Sequence, residues 1–398
     1  MADRTNLGAR IRELRVEVFL TQRELADRAG VSVDLVRKLE HGTRQTASIT
    51  SLQAIARALD VDIAQLLDKA TPLPDSGPES GVVAIRRALT SVDSLTGIVT
   101  DGEPVTVADV ERETIYAWGA YWGGRYGTLG QVLPQAITRA RAAETNASPL
   151  AAPSVSSLLA QLLQITGCTL VHLGQPDLAW LAVERARAAA NRSGDPLLSA
   201  TLLGTVSWLL LTQGRYGEAH PLAQKAAADL EPAGDVSAPH LSVYGSLLLT
   251  GATAAGRNKR PGDAADLLAE AHDVAHQLGT DRNDYETAFG LPQVIMQTTD
   301  VQVVSQRFGE ALRTARRMPR DAALPLAARS RHLADVAHSQ AQLGQHDKAL
   351  DTLLAMENAA PDWIKHQTLP KQTVAHLLRQ ERPSRLRELA ARIGSQRD

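Results

Sequence analysis

Residues 20 to 44 read LTQRELADRAGVSVDLVRKLEHGTR, a stretch that encodes two short helices joined by a glycine turn. Thr21, with Glu24 three residues on, forms a capping box for a helix running to about Ala29. Gly30 suits the left-handed residue that ends this helix. Ser32 caps a second helix running to about Glu40, which His41 and Gly42 stop. Leu25, Ala26, Val31, Val36 and Leu39 are the apolar positions that a steep crossing of the two helices must bury. Working outward, Leu7, Ile11 and Leu14 recur at helical spacing before this pair. Leu52, Ile55, Ala56 and Leu59 form a stripe after it, and Asp62 caps a fifth helix with Leu66 and Leu67 turned inward. A five-helix domain over 1–70 follows.

Residues 71–81, TPLPDSGPESG, hold three prolines and two glycines, and are expected to be a linker that cannot hold a helix. From 82 to 398 the periodicity is helical, with no convincing alternation of the strand type, so the chain is expected to be all-α. One phrase recurs in this second part: a helix ending in glycine, a turn often carrying Arg or Gln, then a helix with a small or apolar residue about five positions on. It stands as GRYGTL at Gly124, GQPDLA at Gly174, GRYGEA at Gly214 and GQHDKA at Gly344. A looser copy starts at Gly256, and a degenerate one, QRFGEA, ends at Ala311. The matching second-helix positions are Leu129, Ala179, Ala219, Ala264, Ala311 and Ala349, spaced by 50, 40, 45, 47 and 38 residues. A period of this length means stacked helical hairpins, an α-solenoid with a concave face.

The 398 residues carry a formal net charge of -2, so any binding to a polyanion must come from a local patch and not from bulk charge. No apolar run is expected to approach the ~18 residues of a membrane span. The N-terminus lacks a signal-peptide core, and the single cysteine, Cys168, excludes an internal disulfide or a cysteine-built metal site. A cytoplasmic protein is expected. Cys168 itself lies among apolar residues and reads as a buried small hydrophobe. His272 and His276 stand four apart on one helix, but no carboxylate motif completes a metal site there, so they read as surface histidines. With no phosphate-cradling glycine motif and no nucleophile–base set, no enzyme is expected, and neither a cofactor nor a metal.

The segments T-Q-x-E-L-A (Thr21 to Ala26), G-V-S (Gly30 to Ser32) and L-E-H-G (Leu39 to Gly42) closely resemble the XRE family, the lambda-repressor-like helix-turn-helix group. The resemblance covers about Leu7 to Leu67. It implies binding to a double-stranded DNA operator, with the helix from Ser32 to Glu40 in the major groove. Ser32, Val33, Asp34, Arg37 and Lys38 would project from its reading face, Arg37 or Lys38 towards guanine and Val33 towards a thymine methyl. Gln22 and Arg44 would contact phosphate. Arg15 and Glu40 match a family salt bridge between the first and third helices. Asp34 is a departure, since a carboxylate on that face repels phosphate. Operator symmetry in the family implies a homodimer.

The recurring phrase resembles the tetratricopeptide repeat (TPR), although the period is longer than 34 and the early tryptophan is mostly missing. The whole layout resembles the RRNPP peptide-sensing regulators and the actinobacterial XRE–TPR regulators. Tyr285 to Gln297 (YETAFGLPQVIMQ) and Ser330 to His366 look very like the second group. Members of that group read F-G-P-T-N-V-x-x-H where this chain has Gln293 and Gln297 at the two polar positions. The layout implies an effector, a peptide or a small molecule, in the groove of the repeats. Groove-facing candidates are Trp118 and Tyr121, Gln164, Trp208, Thr250, Gln293 with Gln297, and His338, from the first to the sixth hairpin. A body that binds a protein partner and no small effector is the alternative.

Overall fold

Thr21 opens the first of the two signature helices as its sequence requires. In the computed structural model, which describes residues 8, 11–12, 14–15, 20–43, 51, 54–55, 58–59, 78–91, 105–380 and 383–394, its hydroxyl accepts from the Glu24 N–H at 3.2 Å. Its own N–H donates to the Glu24 carboxylate at 2.7 Å. This caps α1 (Gln22–Ala29), which Gly30 ends at φ 63°. Ser32 caps α2 (Val33–Glu40), accepting from the Leu35 N–H at 3.2 Å. Leu25, Ala26, Val36 and Leu39 are fully buried, with Ile11, Ile55 and Leu59 packed around them. Leu7, Arg44, Leu52, Ala56, Asp62, Leu66 and Leu67 lie outside the described residues.

The chain divides into two compact units, Met1–Ser80 and Gly81–Asp398. The expected linker is corrected at its end: α3 (Pro78–Leu89) already includes its last four residues. Proline is tolerated in a first helical turn, where its missing N–H would have no partner. Gly81 is there for close approach, because a Cβ on it would press into the Gly130 backbone. Residues 71–77 lie outside the described residues.

Six hairpins follow among the described residues. They are α4 (Val107–Trp122) with α5 (Tyr126–Thr145), α6 (Ala152–His172) with α7 (Pro176–Ser193), and α8 (Pro196–Thr212) with α9 (Tyr216–Ala228). Then come α10 (Ala238–Arg257) with α11 (Pro261–Leu278), α12 (Leu291–Val304) with α13 (Phe308–Ala315), and α14 (Leu326–Gln342) with α15 (His346–Ala359). The short α16 (Pro361–Lys365), α17 (Thr368–Gln380) and α18 (Ser384–Arg392) close the series. The only β feature among the described residues is an isolated bridge between Arg282 and Phe289. The architecture is all-α, with a solenoid-like body.

One turn joins both helices in each hairpin. The residue after a left-handed position donates its N–H back to a carbonyl five residues earlier, as Arg125 does to Ala120 and Gln175 to Leu170. That closes the first helix with a Schellman-type cap. Gly124, Gly174, Gly214 and Gly344 take the left-handed seat at φ 67° to 75°. In the fourth and fifth hairpins the seat is not where the glycines suggest: Lys259 (φ 57°) and Gln306 (φ 58°) occupy it. Gly256 instead packs against Val301. With those seats, Leu129, Ala179, Ala219, Ala264, Ala311 and Ala349 all fall five residues on, and all are fully buried.

Twelve positions before each of these residues, the first helix also carries a buried residue: Ala117, Gly167, Ser207, Ala252, Thr299 and Ala337. In the second and third hairpins the two meet. Gly167 shows why size is limited: a Cβ on it would meet Val183 and the Ala179 carbonyl. Ser207 uses its hydroxyl at the same crossing, donating to the Ala219 carbonyl at 2.8 Å. Helix α6 corrects a second expectation. By length and composition it is apolar enough to cross a membrane, yet 72% of its apolar window is buried among its neighbours. It is the core helix of the second hairpin.

Candidate functional site

Two places bring the candidate residues together, one in each unit. In the first unit, Val33, Asp34, Arg37 and Lys38 all lie on the exposed side of α2, and Val33 is 39% exposed. Asp34 and Lys38, four apart, pair at 2.7 Å with both side chains more than half exposed. The Lys38 hydrogen bond is the main cause that lowers the Asp34 carboxyl. The acidic residue on this face is therefore partly neutralised by its own neighbour. Ser32 is used as the cap of α2.

Gln22 turns inward. Its amide donates to Glu40 at 2.7 Å. Arg15 grips the same carboxylate with two N–H groups at 2.7 and 2.9 Å, and donates a third to the Leu20 carbonyl at 2.7 Å. The expected Arg15–Glu40 bridge is present and the Glu40 side chain is only 1% exposed. Burial pushes this carboxyl up, but the hydrogen bonds of Arg15 and Gln22 outweigh it and the net shift is down. This clamp holds α2 at a set angle to the helices before it.

In the second unit, the first helices of the hairpins line one cavity of about 460 Å³. Trp118, Tyr121, Gln164, Trp208, Thr250, Gln293 and Gln297 all border it. His338 does not: its ring packs on Phe308 at 5.8 Å and its Nδ1 lies 3.2 Å from the Thr373 hydroxyl. Helix α17 packs over the later turns of α14, so only the first turns of that helix, through Ala327, Ala328 and Arg331, reach the cavity.

One wall is aromatic. Tyr126 stacks on His172 at 4.6 Å, Trp208 stands 5.7 Å from the same imidazole, and Trp118 stacks against Trp122 at 6.3 Å. Burial pushes His172 down to about 3, and the charges of His366 and Arg331 add to the effect. The ring is neutral at physiological pH. Cys168, also in this wall, is pushed up to about 12 by burial and is a thiol.

Another part of the lining is charged. Arg257 binds Asp300 through two hydrogen bonds at 2.7 and 2.9 Å, and Arg331 adds one at 2.5 Å. Asp300 is 4% exposed; burial would raise its carboxyl, yet the two guanidinium groups bring it well below the usual range. Asp335 sits deeper, with its Oδ2 3.6 Å from Arg331 Nε and neither carboxylate oxygen hydrogen-bonded. Burial raises it, Arg331 opposes, and the Asp300 charge adds to the rise. Gln293 Oε1 is also buried without a partner, whereas Gln297 accepts from Thr253 at 3.3 Å and Gln164 donates to Thr205 at 2.9 Å.

A loop crosses between α11 and α12 at the cavity edge. Tyr285, Glu286 and Ala288 all have positive φ, and Glu286 accepts from the Trp122 indole N–H at 2.6 Å. Sequence reading missed Trp122, Tyr126, His172, Arg257, Asp300, Arg331, Glu286 and Trp363. Several carried a signal: Trp118 and Trp122, Gln164 and His172, Thr250 and Arg257, Gln293 and Asp300 are one or two helical turns apart on the same faces. Glu286 and Trp363, from a loop and a short helix, carried none. His272 and His276 lie on exposed turns of α11 with their Nε2 atoms 3.2 Å apart. No group of three metal-ligating side chains occurs among the described residues.

A helix-turn-helix family model matches residues 11–66. Over 105 residues, 26% of this chain, the sequence is 33% identical to the propionyl-CoA carboxylase regulator of Cereibacter sphaeroides, and the match spans 20% of that protein's length. Among solved structures, PlcR of Bacillus thuringiensis in complex with a peptide and DNA aligns at 12% identity. It covers 78% of this chain and 94% of that one, with a TM-score of 0.35. The apo competence regulator ComR of Streptococcus vestibularis aligns at 12% identity, covering 83% of this chain and 98% of that one, with a TM-score of 0.31.

Proposed function

We propose that this chain is a cytoplasmic, sequence-specific DNA-binding transcription regulator of the XRE–TPR type, acting as a homodimer on an operator. Its repeat body holds a peptide or small-molecule effector in the cavity described above. The observation that carries the DNA-binding part is the exposed α2, capped by Ser32 and clamped through Glu40, inside the stretch that matches the helix-turn-helix family. A rigidly held reading helix is what base readout requires. Within it, Lys38 is engaged by Asp34, so Arg37 is the residue assigned to guanine O6 and N7. Val33 is assigned to a thymine methyl, while Ser32 and Asp34 flank them. Gln22 and Arg44 serve the phosphates, Gln22 through the N–H not given to Glu40.

The effector part rests on concave placement: aromatic, amide and hydroxyl side chains from five consecutive hairpins share one cavity whose size suits a drug-sized or short peptidic ligand. The buried residue five positions after the left-handed seat of every hairpin supports the TPR-like reading. Effector binding that favours one placement of the reading helices by about 1–3 kcal/mol changes operator affinity 5- to 150-fold.

Selection of bound sequences from random DNA by the full chain tests the assignment. An inverted repeat should be enriched, and Arg37→Ala should relax one position in each half-site by about 1–3 kcal/mol. An unaltered preference in that variant would remove α2 as the reading element.

A further inference from the structure

The cavity holds more than an apolar slot, and its two walls differ in a way that specifies the ligand. Arg331 gives one N–H to Asp300 at 2.5 Å, but its Nε has no hydrogen-bond partner, and its side chain is 41% exposed at the cavity. Arg257, by contrast, spends two N–H groups on Asp300 and is 20% exposed. Two guanidinium groups therefore share one ionised carboxylate at this end. Asp335, the next acid along, lacks any hydrogen bond to its carboxylate, and burial favours its neutral form. Arg331, paired with Asp300 by a hydrogen bond and with Asp335 only at 3.6 Å, is the cation that presents part of its side chain to the cavity.

Glu286 is the other acid in the cavity lining. Glu286 Oε2 accepts from Trp122 Nε1 at 2.6 Å and from Asn283 Nδ2 at 2.7 Å. Both bonds fall on the same oxygen, at the Trp122 side, so a guest's carboxylate has to lie at Arg331 and away from Glu286. Arg331 and His172, the imidazole stacked on Tyr126 and flanked by Trp208, border the same cavity. A neutral imidazole with flat rings around it offers faces for a planar apolar body.

We propose that the cavity takes a monoanion whose carboxylate binds Arg331 and whose planar aromatic body stacks in the wall formed by Tyr126, His172 and Trp208. This rests on the reading of the cavity as the effector site and names the class of effector. Guanidinium matches a carboxylate in geometry, and the bond is charge-assisted. A single part-exposed guanidinium, already sharing its charge with Asp300, suits a monoanion better than a phosphate dianion. The same chemistry is offered by a free aromatic acid and by the C-terminal aromatic residue of a short peptide.

The test uses the full chain and ring-matched probes. Indole-3-acetate, indole-3-acetamide and tryptamine share the indole ring and a two-carbon side chain and end in an anionic, a neutral and a cationic group; a panel of further aromatic acids with their primary amides and amines extends the series. Tryptophan-terminated dipeptides with free and amidated ends distinguish the peptide source. Binding is read by calorimetry and thermal melting. Acids should bind about tenfold or more tightly than their amides, and amines more weakly still. Arg331→Gln should erase the acid–amide difference, Arg331→Lys should restore part of it, and Trp208→Ala should weaken acid and amide together. The melting of each variant without ligand shows that it folds. Amides or amines that match the acids, or an acid preference that survives Arg331→Gln, would overturn the ligand class while leaving the cavity as the effector site. Binding that ignores Trp208→Ala, or no binding by any probe of any charge, would overturn the cavity reading and the proposal with it.

Discussion

Two buried carboxylates, Glu40 in the first unit and Asp300 in the second, are gripped by arginine, but the networks around them end differently. At Glu40 the accounts close: Arg15 binds both oxygens, Gln22 adds a third hydrogen bond, and the spare Arg15 N–H reaches the Leu20 carbonyl. At Asp300 the network stops short: Arg331 Nε, both oxygens of Asp335 and Gln293 Oε1 are all buried without a hydrogen bond. A satisfied network holds a fold in one arrangement, whereas unsatisfied buried groups are costly and call for a reason. The first behaves as a structural clamp. The second leaves Arg331 Nε and Asp335 facing each other at 3.6 Å, an ion pair without a hydrogen bond.

Breaking the clamp should have the largest effect. Glu40→Ala strands the Arg15 guanidinium and should destabilise the first unit by about 3 kcal/mol. Hydrogen exchange along α1 and α2 in the full chain measures it. A loss well below 1 kcal/mol would mean that apolar packing around Ile11 and Leu39 alone sets the position of α2.

The opposite sign is expected at the open network. Leucine nearly matches aspartate in shape, so Asp335→Leu should stabilise the body by about 1 kcal/mol at neutral pH, by removing a carboxylate buried without hydrogen bonds. The pH dependence sharpens this. Asp335 is raised from its ordinary 3.8. The folded chain therefore keeps the proton where the unfolded chain has released it. Its contribution is fully present below 3.8 and is lost as pH rises through the raised value. The advantage of Asp335→Leu should grow with pH over that window in chemical denaturation, and a difference that is flat or shrinks would place Asp335 in a satisfied network after all.

The smallest effect belongs to the exposed pair. Asp34→Asn removes a partner that Lys38 holds at 2.7 Å in full solvent, so the melting temperature should not move measurably. DNA affinity should rise, most at low salt, as Lys38 is released and a repulsive charge is lost. Equal affinity at all salt concentrations would show that the pair stays clear of the phosphates.

Much of this was written locally. The capping box at Thr21, the Gly30 turn and the burial of Leu25, Val36 and Leu39 follow from spacing alone, because caps and helical faces are decided within a few residues. The same holds for the hairpin glycines and the alanines five residues beyond them. Where glycine was missing from the left-handed seat, at Lys259 and Gln306, the register was hidden. There burial of the residue five positions on, Ala264 and Ala311, accompanies the turn in place of the local preference. Gly81 misled for the reverse reason: its role is contact with Gly130, far away in sequence.

The amino-acid sequence by itself determined the helices, their ends, and the polar and aromatic stripes along α4, α6, α8, α10 and α12, because each depends on positions one or two turns apart. Tertiary structure alone decided that these stripes meet at one cavity and that α17 takes His338 out of it. It also decided that Arg257 and Arg331 converge on Asp300 while Asp335 is left without a hydrogen bond. Those outcomes depend on the rotation from one hairpin to the next, which is summed over many close helix crossings and is not carried by any single stretch of chain.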